Sequence, residues 1–224
     1  ALSSHVIAAL SDEVIENVPQ SQMRLFSKEQ IACLTTTQVQ SLSQQTVNQL
    51  SRTQVSALTS DQLNAFSDVQ LRQLNLNAVK GLTAEQLDSM SQSQFSALNM
   101  SQVNALGMSQ VAHLGTEFAQ SISVERIGSL NASVLNALGA DTVQHINTNV
   151  ISAMSAKQIS TINATFVSRI GDEQLQAFSV QQIKALSVRA LSGLSSNQYA
   201  ALSPTQQAAF TVTQNRTLKA NGLI

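Results

Sequence analysis

Apolar residues recur every eight positions along this 224-residue chain. With Leu2 as position zero, the register runs to Thr217 without an insertion or deletion and gives 216/8 = 27 octads. Position zero is apolar in all 27 octads and position five in 25, the exceptions being Gln207 and Asn215. Eight residues would turn an α-helix by about 800°, so the apolar face of a continuous helix would drift by about 80° per octad. The period therefore predicts one separate short element in each octad.

Position one indicates which element this is. It holds Ser, Thr, Asn or Gly in 26 of 27 octads, with Pro19 the exception, and these residue types are favoured N-caps of α-helices. Position four, three residues later, is Gln in 16 octads. Ser/Thr-x-x-Gln is a capping box, and the apolar residues at positions zero and five flank it as a hydrophobic staple. Each octad, L-S/T-x-x-Q-L/V/I-x-A, therefore predicts one helix of about six residues.

The positions of the acidic side chains also favour one short helix per octad. Positions two and three, in the first turn of each predicted helix, hold 11 of the 13 acids, where chance predicts 13 × 2/8, or about 3. Acidic side chains are stabilising at that end because the helix dipole is positive there. A β-solenoid with octad coils is the alternative, since Val, Ile, Gln and Asn also suit strands. Strands need apolar residues two apart, however, and a β-solenoid leaves the acidic bias unexplained.

The predicted helices are too short to be stable alone, because helix nucleation is costly, so they must pack on neighbouring octads. We therefore expect an all-α fold, an α-solenoid (superhelix) of about 27 very short helices, with residues 1–224 forming a single repeat domain. The sequence begins at Ala1 without an initiator Met or a signal peptide. We accordingly expect a segment excised from a longer repeat protein, or a processed chain.

The pattern drifts in two places. Between residues 114 and 169 position four becomes mostly apolar, which indicates local repacking or else a change of curvature or a contact surface. Towards the end, Gln207 and Asn215 interrupt position five and Lys219 stands where a cap belongs, which fits either a polar terminal cap or a cut within a longer array. The glycines that replace the hydroxyl cap are Gly107, Gly115, Gly139 and Gly171, and the residues that replace Gln include Phe118, Val134, Val150 and Phe166.

Composition narrows the classes of partner. Charged residues are 11% of the chain and the net charge is −1, against about 25% charged residues in typical soluble domains. No basic block exists, so we expect no nucleic acid partner, and no apolar run of about 18 residues exists, so we expect no membrane insertion.

Residues that carry chemistry are few and scattered. His5, His113 and His145 show no metal-ligand spacing, and Cys33, in a small-residue position, is expected to be a buried thiol. No nucleophile, phosphate-loop or paired-carboxylate motif occurs. We therefore expect no enzyme, with no catalytic, cofactor-binding or metal-binding residues and no cofactor.

The phrases LTAEQLDSM, LTSDQLNAF and FSVQQIKAL carry a resemblance to known repeats. They resemble tandem octads in very large bacterial secreted or surface proteins, and also the superhelical repeats of the mesothelin and stereocilin family. The octads also resemble transcription-activator-like effector repeats, which open with L-T-x-x-Q-V-V-A. They are shorter than those repeats, however, and have no base-reading loop. The first resemblance covers the whole chain, and it implies adhesion, extension or scaffolding without catalytic residues.

We therefore expect a noncatalytic structural or protein-interaction solenoid, a spacer or adhesion segment of a larger secreted or surface protein of a bacterium. Its expected partner is a protein or a host surface. The alternative is an intracellular effector or scaffold, secreted into or resident in the cytoplasm, that binds a partner in its superhelical groove.

Overall fold

The computed structural model describes residues 3–224, apart from the side chains of Ser4 and His5, and this part of the chain forms 27 short α-helices and no strand. The predicted α-solenoid of short helices is therefore confirmed. The helices are α1 (Ser4–Ala8), α2 (Asp12–Glu16), α3 (Gln20–Met23), α4 (Lys28–Ala32), α5 (Thr36–Ser41), α6 (Gln44–Asn48), α7 (Arg52–Ala57), α8 (Ser60–Asn64), α9 (Asp68–Gln73), α10 (Leu76–Val79), α11 (Ala84–Ser89), α12 (Gln92–Ala97), α13 (Met100–Ala105), α14 (Met108–Ala112), α15 (Thr116–Ser121), α16 (Val124–Ile127), α17 (Ala132–Ala137), α18 (Ala140–His145), α19 (Thr148–Ser152), α20 (Ala156–Thr161), α21 (Ala164–Arg169), α22 (Asp172–Gln176), α23 (Val180–Ala185), α24 (Val188–Leu191), α25 (Ser196–Ala201), α26 (Pro204–Gln207) and α27 (Val212–Ala220).

The helices begin where the capping pattern predicts. At α7 the Ser51 hydroxyl accepts the Gln54 backbone N–H at 3.2 Å, and the Gln54 Oε1 accepts the Ser51 backbone N–H at 2.9 Å. Leu58 ends the helix with extended backbone angles, from which the next octad starts. The same reciprocal box closes thirteen helices of the described chain: α4, α5, α7, α8, α9, α11, α12, α13, α20, α23, α25, α26 and α27.

Octads that depart from the box still start helices at the same position. Pro19, Gly115 and Gly139 stand at the N-caps of α3, α15 and α18 and make no side-chain cap bond. Asn131 and Asn163 cap α17 and α21 by accepting the N–H of the residue at position four. The backbone therefore keeps the octad register even where the capping side chain is lost.

The helices pack in coils of three. The contacts group into two compact units, one ending at Gln110 and one running from Val111 to Ile224. Within each unit a helix packs against the helix three places along, as α7 does on α4 and α24 does on α21. One coil therefore consists of three octads. Positions zero and five supply the core between coils, as Leu50 and Val55 do.

The position-four glutamine also binds the coil that precedes its own. Gln102 Oε1 accepts the Asn99 backbone N–H at 2.8 Å, which closes the start of α13. Its Nε2 donates to the carbonyl oxygens of Leu71 at 2.8 Å and Leu74 at 2.7 Å, at the end of α9. The last carbonyls of a helix have no partner inside it. One buried carboxamide therefore caps the N-terminus of its own helix and the C-terminus of another.

This second pair of bonds recurs along both units and forms what we call the glutamine ladder. Each member donates to carbonyls 28 and 31 residues earlier in the chain. The members are Gln38, Gln54, Gln62, Gln70, Gln86, Gln102 and Gln110 in the first unit and Gln158, Gln174, Gln182, Gln198, Gln206 and Gln214 in the second.

Where position four is not Gln, a different side chain donates to some of the equivalent carbonyls of the preceding coil. Beside Ala78, the N-cap Asn75 donates through Nδ2 to the carbonyls of Asn48 at 2.6 Å and Leu50 at 2.9 Å. The Thr142 hydroxyl donates to the Leu114 carbonyl, 28 residues earlier. Arg169 likewise donates to the carbonyl of Leu138, in an octad whose position four is the buried Phe166.

Two glycines mark a closer approach of stacked coils. A Cβ added to Gly81 would overlap the carbonyl of Arg52, and one added to Gly193 would overlap the carbonyl of Ala164. In both octads position four is Ala rather than Gln, and no other octad has Gly at position seven. A short side chain at position four therefore goes with a missing Cβ at position seven.

The polar residues that interrupt position five near the end satisfy nearby carbonyls. Gln207 Nε2 donates to the Tyr199 carbonyl at 3.0 Å, and Asn215 Nδ2 donates to the Phe210 carbonyl at 3.2 Å. Helix α27 is longer than the others and ends in a Schellman motif around Gly222, whose φ is +71°. This local geometry accounts for the loss of the octad pattern there.

We expect Gln102→Ala to lower the free energy of unfolding by about 3 kcal/mol, because the part-buried Asn99 N–H and two buried carbonyls lose their hydrogen-bond partner together. Gln22→Ala is the matched control, since Gln22 has the same octad position but an exposed side chain, and its cost should stay below about 0.5 kcal/mol. Urea unfolding followed by circular dichroism measures both. Equal costs would show that the ladder does not stabilise the coils.

We expect Gly81→Ala and Gly193→Ala each to lower the free energy of unfolding by more than about 2 kcal/mol, because each new methyl group meets backbone rather than a flexible side chain. Gly128→Ala should be neutral or stabilising by up to about 1 kcal/mol, since Gly128 has helical backbone angles and no atom within 4 Å of an added Cβ. Thermal unfolding of the three variants tests this order. A mild Gly81→Ala would mean that the coils can move apart at little cost.

Candidate interaction surface

His113, His145 and Cys33 belong to no candidate metal site in the described residues. His113 and His145 are both exposed, and their separation of four octads does not match the three-octad coil, so they do not stack. His145 Nδ1 lies 2.8 Å from the Asp141 carbonyl oxygen and 3.4 Å from its carboxylate. Cys33 is half-buried at the end of α4, more exposed than the sequence predicted. The side chain of His5 lies outside the described residues.

Three ionisable groups have shifted pKa values, and each shift has a structural cause. Its own backbone N–H and the Ser27 hydroxyl hold the pKa of Glu29 below its ordinary value. The Ser123 hydroxyl and its own backbone N–H do the same for the pKa of Glu125. Burial lowers the pKa of Arg126, whose guanidinium donates to the Ser121 carbonyl at 3.0 Å. In the described residues no group of three or more His, Cys, Asp or Glu side chains could hold a metal ion.

A hollow lined only by amide side chains lies on the first unit. It crosses three stacked helices, α3, α6 and α9, which belong to successive coils. We call it the amide groove, and its lining residues are Gln20, Gln44, Gln45, Asn48, Gln49 and Gln73.

The coil period explains why amides gather there. Gln20 and Gln44 both occupy octad position two and are three octads apart, while Gln49 and Gln73 both occupy position seven with the same separation. Residues three octads apart occupy equivalent places in successive coils. Amides that are remote in sequence therefore line one surface.

Part of the amide groove is held in place by hydrogen bonds. Asn48 Nδ2 donates to the Gln73 carbonyl at 2.9 Å, and Gln49 Oε1 accepts from the Arg24 guanidinium. The exposed side chains of Gln44, Gln45 and Gln20 make no hydrogen bond with the described residues. The groove therefore combines a fixed floor with three amides whose donors and acceptors are open to solvent.

A second hollow adjoins the amide groove, since Gln44 and Gln45 line both. Its remaining lining is mostly neutral and polar, with Glu16 the only charged residue, and consists of Glu16, Gln40, Ser41, Leu42, Ser43, Ser67, Val69 and Gln70. A third hollow, on the second unit, is more apolar and is lined by Val180, Lys184, Pro204, Thr205, Ala208 and Ala209.

No protein-family model matches the chain, and no curated protein sequence matches it. Within the described residues, none of the helices combines the length and apolar character needed to cross a lipid bilayer.

Sequence reasoning did not find the amide groove. The octad pattern predicts that positions two, three and six face solvent, and these positions hold Gln and Asn in many octads, while Gln49 and Gln73 stand at position seven, in most octads a small-residue position. Choosing among them needs the number of octads per coil, which the capping pattern does not contain. The three-octad spacing of Gln20 from Gln44 and of Gln49 from Gln73 is the signal that an assumed three-octad coil would have exposed.

The lowered pKa of Glu29 predicts a pH-dependent contribution to stability. A carboxyl whose folded pKa lies below its ordinary value of 4.5 stabilises the fold above that value, and the contribution is lost as the pH falls through the folded pKa. Glu29→Gln should therefore lower the thermal midpoint at pH 7, and the difference from wild type should shrink progressively below pH 4.5.

Glu16→Gln is the control for this pH effect. Glu16 is exposed and is the last residue of α2, where the helix dipole disfavours a negative charge, so no loss is expected at pH 7. A difference between Glu29→Gln and wild type that persists unchanged at pH 3 would show that the effect is not electrostatic.

Proposed function

We propose that this protein is a noncatalytic structural and interaction segment of a larger secreted or surface protein, and that it binds a protein or a host surface. The observation that carries the proposal is the amide groove, an open, neutral, hydrogen-bonding surface in which Gln20, Gln44 and Gln45 make no hydrogen bond with the described residues. The resemblance of the octads to those of bacterial secreted and surface proteins supports a bacterial source and an adhesion or spacer role.

The separation of core positions from surface positions within the octad supports the same proposal. Positions zero, four and five make the core and the glutamine ladder, and position one makes the caps. Positions two, three and six are exposed in most octads and vary in residue type. A chain that closes its coils with interior groups can present many different outer surfaces without altering the coil.

The placement of the acids supports a noncatalytic role. Eleven of the 13 acids stand at positions two and three, where a carboxylate stabilises the start of a helix. Their distribution therefore has a cause in folding, and it does not require paired carboxylates for acid–base chemistry.

Retention under flow tests the interaction role. We expect beads coated with the whole chain to be retained on a layer of host epithelial cells, while beads coated with an unrelated helical protein of similar net charge wash off. The two bead types must carry equal amounts of protein. The same comparison is made on a layer of extracellular matrix proteins. If the two bead types wash off equally on both layers, an adhesive role is contradicted.

Antibody labelling tests the location. We expect an antibody against the chain to label intact cells of the source organism, with a cytoplasmic protein as the negative control. Labelling that appears only after permeabilisation would instead favour the intracellular effector or scaffold.

A further inference from the structure

We propose that the amide groove binds a neutral oligosaccharide, through Gln20, Gln44, Gln45 and Asn48 in particular. This inference rests on the proposed interaction role and names the chemical class of its ligand.

The chemistry of the lining matches sugar hydroxyl groups. A primary carboxamide offers two N–H donors and a carbonyl acceptor side by side. A hydroxyl group both donates and accepts, so two neighbouring hydroxyls of a sugar ring can accept from the amide nitrogen and donate to the amide oxygen together. Six carboxamides line the groove, so a ring inside it meets such pairs on more than one side.

The neutral lining of the amide groove disfavours charged small ligands. None of the residues that line the groove is ionisable, so an anionic ligand gains no ion pair there. Arg24 donates to Gln49 but is not one of the lining residues, so the lining itself contains no cation. A cationic ligand finds only Glu16, in the adjoining hollow. Neutral, hydroxyl-rich molecules remain the best match.

An exposed apolar side chain lies in the same column as two groove residues. Leu25 is 81% exposed, the largest exposed fraction among the large hydrophobic residues described. It stands three octads before Gln49 and six before Gln73, at the same octad position. Sugar rings carry C–H faces as well as hydroxyls, and the three-octad register puts the apolar Leu25 next in the column that Gln73 and Gln49 form.

The extent of the surface favours more than one sugar unit. Gln44 and Gln45 form the border between the amide groove and the second hollow, and that hollow adds the hydroxyls of Ser41, Ser43 and Ser67. A chain of two or three sugars can follow this track, whereas a monosaccharide fills only part of it.

An extended peptide is the competing ligand. Its backbone also offers N–H and carbonyl groups, but peptide grooves select their ligands with pockets for alternate side chains. None of the residues that line the amide groove is apolar, so it offers no apolar pocket. The third hollow, on the second unit, has more apolar lining, yet nothing in the structure shows what covers it.

The affinity of a single site is expected to be weak. Gln20, Gln44 and Gln45 are exposed and make no hydrogen bond with the described residues, so binding must restrict their rotamers. A dissociation constant on the order of 1 mM is expected for a trisaccharide, because that ordering offsets much of the hydrogen bonding.

The experiment is a titration of the whole ¹⁵N-labelled chain with purified trisaccharides, followed by the shifts of the side-chain amide signals. The probes are neutral trisaccharides of glucose, of mannose and of N-acetylglucosamine, with a uronic acid trisaccharide and a Gly-Ser hexapeptide as comparators. We expect at least one neutral trisaccharide to shift the amide signals of Gln44 and Gln45, and the two comparators to bind at least tenfold more weakly.

A double variant with Gln44→Ala and Gln45→Ala should weaken that binding at least tenfold. The matched control is Gln181→Ala. Gln181 lies in α23 and Gln45 in α6, and both are exposed residues at octad position three. The circular dichroism of both variants should equal that of wild type, since all the replaced side chains are exposed.

Three results would overturn the inference: no shift with any neutral trisaccharide, equal loss in the Gln181→Ala control, or tighter binding of the hexapeptide. Bead retention separates this failure from that of the proposed function. Beads that are still retained by host cells after periodate oxidation of the glycans would leave the interaction role standing without a sugar ligand.

Discussion

The fold depends on a single carboxamide that is hydrogen-bonded at both ends. A helix leaves its first four N–H groups and its last four carbonyls unpaired, so a helix of about six residues consists almost entirely of end groups. Gln102 shows the solution, since its oxygen closes one helix start and its nitrogen closes a helix end in the preceding coil. Glu can serve in a capping box as well as Gln, but a carboxylate has no N–H to donate to carbonyls. Position four accordingly contains no Glu in any of the 27 octads.

The same constraint explains the exceptions. The carbonyls of a helix end must find a donor or face water, and several replacements of Gln meet this need from another position. Asn75 caps two carbonyls from position one, whereas Arg169 reaches one from position seven. In the octad of Asn75, Gly81 also lets the carbonyl of Arg52 come closer than a Cβ would permit. These octads differ in sequence because they satisfy one requirement in different ways.

Local rules predict the helices well and their stacking poorly. The caps at Ser51 and Asn131 follow from hydrogen bonds within a single octad, so one octad contains the information for them. The three-octad coil depends on contacts between residues three or more octads apart, and the capping pattern is equally compatible with other coil sizes. Glutamine at position four was therefore recognised as half of a capping box but not as a link between coils. The half-exposed Cys33 and the amide groove depend on the same stacking, so the sequence did not reveal them either.

The ladder also shapes the surface on which a ligand would bind. Because buried amides and apolar side chains close the coils, the fold needs few charges, and 11% of the residues are charged. The outer positions two, three and six hold most of those charges together with a majority of neutral side chains. The stacking of coils repeats these positions at a fixed interval of three octads. A groove such as the one along Gln20, Gln44 and Gln73 then requires only matching residues in successive coils, with no change to the ladder beneath. Changing those residues should alter the ligand while leaving the coil intact, which suits a repeat protein whose task is to present a surface.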